Sequence, residues 1–197
     1  MFKVYAIDGI TPVVDPTAYV HPSAILIGDV IVGANTYIGP LASLRGDFGR
    51  IVIGAGANVQ DACVLHGITE ADTIVEEDGH IGHGAVLHGC RIERNAMVGM
   101  NAVVMDNAVI GHSSIVAAMA FVKAGMVVPA RCMVMGMPAR IVRELTDDDI
   151  AHKSMGTAQY HRLTQRSLQT MQAVAPLVQA EADRPRFTRE MLHPLKK

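Results

Sequence analysis

This sequence predicts a mainly β fold, a parallel β-helix wound from hexapeptide repeats with helices at its C-terminal end, and three observations carry that prediction. First, an aliphatic residue returns at a spacing of six: Val20, Leu26, Val32, Ile38 and Leu44, then after a break Ile53, Val59 and Leu65, and finally Ile92, Val98, Val104, Ile110, Val116, Val122 and Val128. Second, glycine often follows the aliphatic residue (Gly33, Gly39, Gly54, Gly99, Gly111), and a small residue often stands four places after it, as Ala24, Thr36, Ala57, Ala96 and Ser114 do. Both fit short strands separated by tight corners. Third, aromatic residues make up only 4% of the chain and tryptophan is absent, as expected for a narrow coil filled by aliphatic side chains. Six matches neither the helical period near 3.6 nor a heptad, but it is even, so strand alternation survives from one repeat to the next. One repeat cannot bury its aliphatic residue alone; stacked coils must share a continuous core.

The chain reads in four parts. Residues 1–16, with Pro12 and Pro16, form a segment that caps the open first coil. Residues 17–140 carry the coils, interrupted at Arg45 to Ile51 and at Gly67 to His80, where the period lapses and polar residues gather. Such lapses predict protruding loops. Residues 145–180 read as helical. Thr146-Asp147-Asp148-Asp149 supplies a capping side chain and acids for the N-terminal dipole. A second helix is expected from Thr157, with Tyr160, Leu163, Leu168, Met171, Val174 and Ala175 near one packing face and Pro176 closing it. Residues 181–197, with Pro185, Pro194 and scattered charge, form a tail with little to bury.

Composition narrows the function classes. The 197 residues are 50% hydrophobic and carry a formal net charge of -2 with both signs interspersed, which argues against nucleic acid or an anionic membrane as partner. No cationic leader precedes an apolar run, and no stretch approaches the ~18 apolar residues of a membrane span. A cytoplasmic enzyme or binding protein is the expectation. Cys63, Cys90 and Cys132 are odd in number and widely spaced, which suits a reducing compartment; Cys63 occupies a small-residue position and is expected to be buried.

Among nine histidines, phase within the repeat separates the candidates. His66 follows Leu65 and His88 follows Leu87, so both should project from equivalent sites on the coil. His83 stands two residues after Ile81, in a different phase, and could complete a site on an adjacent subunit. Ile110-Gly111-His112 repeats Ile81-Gly82-His83 but has Ala117 in place of the later histidine, so His112 is read as structural or solvent-facing. Three neutral imidazoles would leave one tetrahedral position open on a divalent metal, which lowers the pKa of its water from 15.7 toward about 7. The competing reading is that these histidines make satisfied corner hydrogen bonds.

The hexapeptide coil, His66, the run Gly82-His83-Gly84-Ala85-Val86-Leu87-His88-Gly89-Cys90, and the pair Arg45 and Asp47 in Ser43-Leu44-Arg45-Gly46-Asp47 resemble the gamma-class carbonic anhydrase family. The resemblance spans nearly the whole chain. It implies a left-handed coil, a homotrimer with zinc or a similar divalent ion between subunits, His66, His83 and His88 as ligands, and a helix packed outside. Within that family the segments Leu41 to Ile51, Arg94 to Asp106 and Thr157 to Tyr160 most resemble thioesterases of phenylacetate breakdown, and next the proteins of the carnitine operon. The resemblance assigns Arg45 and Asp47 to a tie between subunits, Gln60 and Asp61, together with Arg45, to the catalytic solvent, and Tyr160 to the approach of the site. Phe48, beside the pair, would line a pocket for an acyl group. The expected activity is hydrolysis of a small acyl-CoA thioester by metal-bound hydroxide. The alternatives are a hexapeptide acyltransferase using a histidine base, to which the ending Gly136-Met137-Pro138-Ala139-Arg140 is similar, a carbonic anhydrase, and a non-catalytic accessory protein.

Overall fold

Because the repeat is even, each aliphatic position returns to the inner side of its strand, and the chain winds into a parallel β-helix of about seven turns. The computed structural model describes residues 3–188. One face stacks Tyr19–Val20, Tyr37–Ile38, Asn58–Val59, His80–Ile81, Met97–Val98, Ile115–Val116 and Cys132–Gly136. A second stacks Val64–His66, Val86–His88, Val103–Val104 and Phe121–Val122, and a third stacks Thr73–Val75, Arg91–Ile92, Val109–Ile110 and Val127–Val128. The long strands Ile25–Val32 and Ser43–Ile53 run across both of these faces, which joins them into one sheet. Leu26, Ile38, Leu44, Ile53, Leu65, Ile81, Leu87, Ile92 and Ile110 form a fully buried axial core. Burying each is worth roughly 1.5–3 kcal/mol relative to exposure. Cys63 is buried among them, as its repeat position requires.

The corners are built differently from the sequence expectation. The left-handed positions fall on residues such as Asn35, Asn95, Asn101 and Asn107, which tolerate positive φ through their short polar side chains. The glycines after the aliphatic residues serve close approach instead: a Cβ on Gly39 would lie 2.9 Å from the backbone nitrogen of Asp61 in the next coil. The two predicted loops also change. Arg45 to Ile51 is not a loop but the middle of strand Ser43–Ile53, hydrogen-bonded along Ile25–Val32 with a register shift between Gly28 and Val30. The second interruption shrinks to a turn closed by the Ile68–Ala71 bridge, after which strand Thr73–Val75 resumes. In the first place Arg45 and Arg50 face out from a ladder whose backbone pairing needs no aliphatic signal, and in the second the polar Thr73 takes a buried position beside Val75.

After strand Cys132–Gly136 the chain folds back as the antiparallel strand Ala139–Glu144 and enters one helix, α1, Asp147–Thr170. Thr146 caps it with a capping box to Asp149. The expected pair of helices is thus a single one, continuous through Thr157, and Val174, Ala175 and Pro176 lie beyond its end. Its buried side chains are polar, namely Lys153, Thr157, Thr164 and Ser167, whereas Leu168 and Met171 are exposed. The reason is what the helix covers. Lys153 Nζ donates to the Asp78 carbonyl at 2.9 Å and to Asn95 Oδ1 at 2.7 Å, His161 Nε2 donates to the Gly56 carbonyl at 2.8 Å, and Gln165 Nε2 donates to Asn35 Oδ1 at 2.9 Å. Corner carbonyls and amides must keep partners when buried, so a polar helix face fits where an apolar one would orphan them. The tail of residues 181–197 is described only as far as residue 188, and the part of the segment 1–16 before Lys3 likewise lies outside the described residues.

Beneath α1, His80 lies between Asn58 and Gln60, with Gln60 Nε2 2.8 Å from its Nε2. Burial, aided by the charge of Lys153, pushes His80 down from 6.5 to about 4. The folded protein therefore resists a proton that the unfolded chain accepts, and stability falls as pH drops from 6.5 toward 4. Burial also pushes Lys153 down to about 7, which adds stability on raising pH from 7 toward its ordinary 10.5. Urea unfolding of the wild type and of His80→Gln at pH 6.5 and pH 4 should show the wild type losing up to roughly 3 kcal/mol more than the variant. Equal losses would mean that His80 titrates freely in the fold.

Candidate functional site

His66 and His88 are brought together by register. Strands Val64–His66 and Val86–His88 pair in parallel with His66 opposite His88, and the pairing of Ser43 with Val64 and of Leu44 with Leu65 brings Arg45 alongside. Thr73 fixes the ends of these strands: its hydroxyl donates to the His66 carbonyl at 2.5 Å and accepts from the Gly89 N–H at 2.9 Å. The two imidazole rings lie 5.1 Å apart between centroids, with His66 Nδ1 3.1 Å from His88 Nε2.

The outer nitrogens meet carboxylates. His88 Nδ1 lies 2.6 Å from Asp106 Oδ1, so Nδ1 carries the proton and Nε2 keeps its lone pair. His66 Nε2 lies 3.0 Å from Asp47 Oδ1, and in the tautomer that donates to this carboxylate Nδ1 keeps a lone pair. Arg45 Nη2 lies 3.1 Å from the same nitrogen but cannot donate to it once it is protonated; its Nε faces Asp47 Oδ2 at 3.6 Å, where its charge is answered. Two lone pairs then face each other across 3.1 Å. That arrangement has room for an electrophile between or beside the rings, a shared proton or a divalent cation, whereas in the other tautomer His66 accepts from Arg45 at Nε2 and donates from Nδ1 to His88.

The remaining sequence candidates divide between this pair and other parts of the fold. Phe48 is exposed, its ring edge toward His66 at 5.4 Å between centroids, so an apolar surface borders the imidazoles. His83 faces elsewhere: its Nδ1 meets Asp61 Oδ2 at 2.6 Å, and both side chains are nearly half exposed. Gln60 is buried under α1 against Asn58 and His80, not beside His66. Tyr160 packs edge-on to Tyr37 and His80, each at 5.3 Å, in that same layer under α1. Asp106 escaped the sequence reading. Its signal was position, one coil after His88 on the same edge, where the repeat itself gives no reason for a carboxylate.

As a metal site the donor set fits in part. Two imidazole lone pairs, each ring backed by a carboxylate, suit a borderline divalent ion such as zinc, and the carboxylates are the outer partners that orient such ligands. Among the described residues no three ligating side chains converge, so one chain supplies two of the donors that a tetrahedral site requires.

Comparison with known proteins agrees with the repeat. The bacterial transferase hexapeptide (six repeats) family pattern matches residues 89–124. The chain is 60% identical over 185 residues to the carnitine operon protein CaiE of Proteus sp. (strain LE138), covering 94% of each chain. It is also 60% identical over 183 residues to CaiE of Escherichia coli O157:H7, covering 93% of each. A Bacillus cereus protein provisionally named an acetyltransferase superposes with a TM-score of 0.83 at 32% identity, over 85% of this chain and 98% of that one. A hexapeptide transferase family protein of Anaplasma phagocytophilum gives 0.80 at 35% identity, over 83% and 96%. These findings favour the acyltransferase alternative over a metal-dependent thioesterase, and the carnitine-operon branch over phenylacetate breakdown. No described helix is long and apolar enough to cross a membrane.

Zinc titrated into the purified protein should shift the His66 and His88 ring resonances together. Asp106→Asn should weaken that response by about 10–100-fold while the coil stays folded. Rings that ignore zinc would leave the facing nitrogens joined by a hydrogen bond alone.

Proposed function

The chain belongs to the hexapeptide-repeat family of the carnitine operon protein CaiE, and on that footing we propose that it is an enzyme acting on acyl-coenzyme A thioesters at the His66 and His88 pair. The observation that carries this reading is the pair of imidazole nitrogens facing each other at 3.1 Å, each ring backed by its own aspartate. His88, held by Asp106, can take a proton from an attacking group at Nε2, while the carboxylate keeps the ring in the required tautomer. Arg45, with nearly half of its side chain exposed beside His66, can answer the negative charge that develops on the carbonyl oxygen. Phe48 offers an apolar wall to the acyl chain, which suits an organic substrate better than carbon dioxide.

The leading reading is acyl transfer to a small hydroxyl or amine acceptor. It is supported by the transferase descriptions of the solved relatives above 30% identity and needs only His88 as base. A second reading, thioester hydrolysis, has an observation of its own: the separate His83 and Asp61 pair repeats the imidazole-carboxylate arrangement on another edge of the coil. In a homotrimer a second copy could bring that His83 against His66 and His88, completing three ligands, with Arg45 and Asp47 at the contact. A divalent ion held there would supply Lewis acidity and an acidified water.

Free coenzyme A release from a panel of acyl-CoA esters distinguishes the readings. Release that requires an acceptor and ignores chelation supports transfer; release into water that chelation abolishes supports hydrolysis. No release under either condition overturns the proposal and leaves an accessory role. His88→Ala should lower kcat by about 10²–10⁴-fold. If the site is shared between copies, co-refolding inactive His83→Ala and His88→Ala chains should recover part of the activity, whereas a site within one chain recovers none.

A further inference from the structure

The three edges of the β-helix differ in what they carry. Asp61 and His83 lie beside one, at Ala62 and Gly84, and His66 and His88 open toward a second, at Gly89 and Asn107. The third runs through Asn35, Gly56, Asp78, Asn95 and Ser113, all with positive φ, and α1 lies along it. Between the helix and this edge opens a cleft of about 360 Å³, lined from the coil by Asp78, Arg94, Asn95 and Ser113 and from the helix by Ser154, Thr157 and His161, among others. That volume falls in the range of small-molecule sites.

Donors and acceptors in the cleft are not balanced. Asn95 Oδ1 accepts from Lys153 Nζ at 2.7 Å and from Ser154 Oγ at 3.3 Å, and the Asp78 carbonyl accepts from Lys153 as well. Asp78 Oδ1 and the Gly56 carbonyl both face His161 Nε2, at 3.1 and 2.8 Å. Each of these acceptor atoms therefore faces a donor, with one N–H of His161 shared between two of them. Two donors are left over. The Ser113 hydroxyl oxygen accepts from Asn95 Nδ2 at 3.2 Å, but its own proton has no acceptor among the described residues. The Arg94 backbone N–H binds Glu76, whereas its guanidinium has no partner among the described residues although it borders the cleft. Asp78 Oδ1 faces His161 Nε2, and Lys153 Nζ lies against the Asp78 carbonyl.

We propose that this cleft is a second ligand site, separate from the imidazole pair, that takes a small oxyanion through Arg94 and Ser113. A carboxylate or a phosphate group meets the requirement, since each brings several acceptor oxygens to a planar donor fork. Because the lining comes from both α1 and the coil, an occupant would also clamp the helix against the third edge, so binding should register as thermal stabilisation of the whole chain.

Full-length protein titrated by calorimetry and thermal shift with inorganic phosphate, and separately with acetate, against sodium chloride at matched ionic strength, tests the assignment. One of the two anions should bind saturably at millimolar concentration and raise Tm, and which one does so distinguishes a phosphate site from a carboxylate site. Arg94→Gln, an exposed substitution, should weaken that binding by about tenfold or more, and Ser113→Ala should weaken it less. His88→Ala should leave it unchanged. Binding that survives Arg94→Gln, binding lost in His88→Ala, or no saturable binding of either anion overturns the proposal.

Discussion

In-register stacking of coils is the constraint on which everything else in this molecule depends. A parallel ladder places each residue against its counterpart one coil away, as with Val86 on Val64 and Val103 on Val86, so a side chain chosen once is aligned with its successor without further design. The axial core uses this to stack Leu44, Leu65 and Leu87. The outer surface uses the same rule for polar groups: Arg45, His66 and His88 form one column, and Asp61 and His83 another. A one-residue slip would turn the leucines outward and the imidazoles inward together, so the stability of the core protects the geometry of the site.

That protection explains how two imidazoles can be held with their inner nitrogens 3.1 Å apart. In a flexible loop the rings would rotate apart or trade hydrogen bonds with water. Here Thr73 ties the ends of both strands, and Asp47 and Asp106 occupy the outer nitrogens, so the inner nitrogens have little freedom to turn away. The pair is preorganised for a proton or a cation in the sense that reorganisation has been completed by folding. Where both rings donate to their carboxylates, the inner nitrogens present lone pairs to a proton or a cation.

Much of this was legible in the sequence because it depends on phase. The spacing of six identified the coil, the residue after the inward leucine identified His66 and His88 as equivalent, and the offset of His83 separated it from them. What escaped depends on contacts that periodicity does not encode. Arg45 to Ile51 reads as a lapse because its outward residues are polar and glycine-rich, yet backbone pairing with Ile25–Val32 keeps it a strand. Gly39 and its equivalents read as turn formers, but they are required by the backbone of the next coil, a distance that no single repeat contains. The polar face of α1 was missed for a related reason. Hydrophobic periodicity finds helices that cover apolar sheets, and this one covers a row of corner carbonyls.

The helix therefore stands in a different energetic regime from the coil. Coil stacking rests on aliphatic burial and is nearly indifferent to pH. Docking of α1 rests on hydrogen bonds from Lys153, His161 and Gln165 and on neutral His80 beneath it, groups that compete with water and respond to protons. Net hydrogen bonds of this kind contribute only about 0.5–1.5 kcal/mol each. The edge under α1 is consequently the part of the molecule whose stability is most open to adjustment by pH or by a bound anion. The imidazole columns on the other two edges keep the rigidity that their chemistry requires.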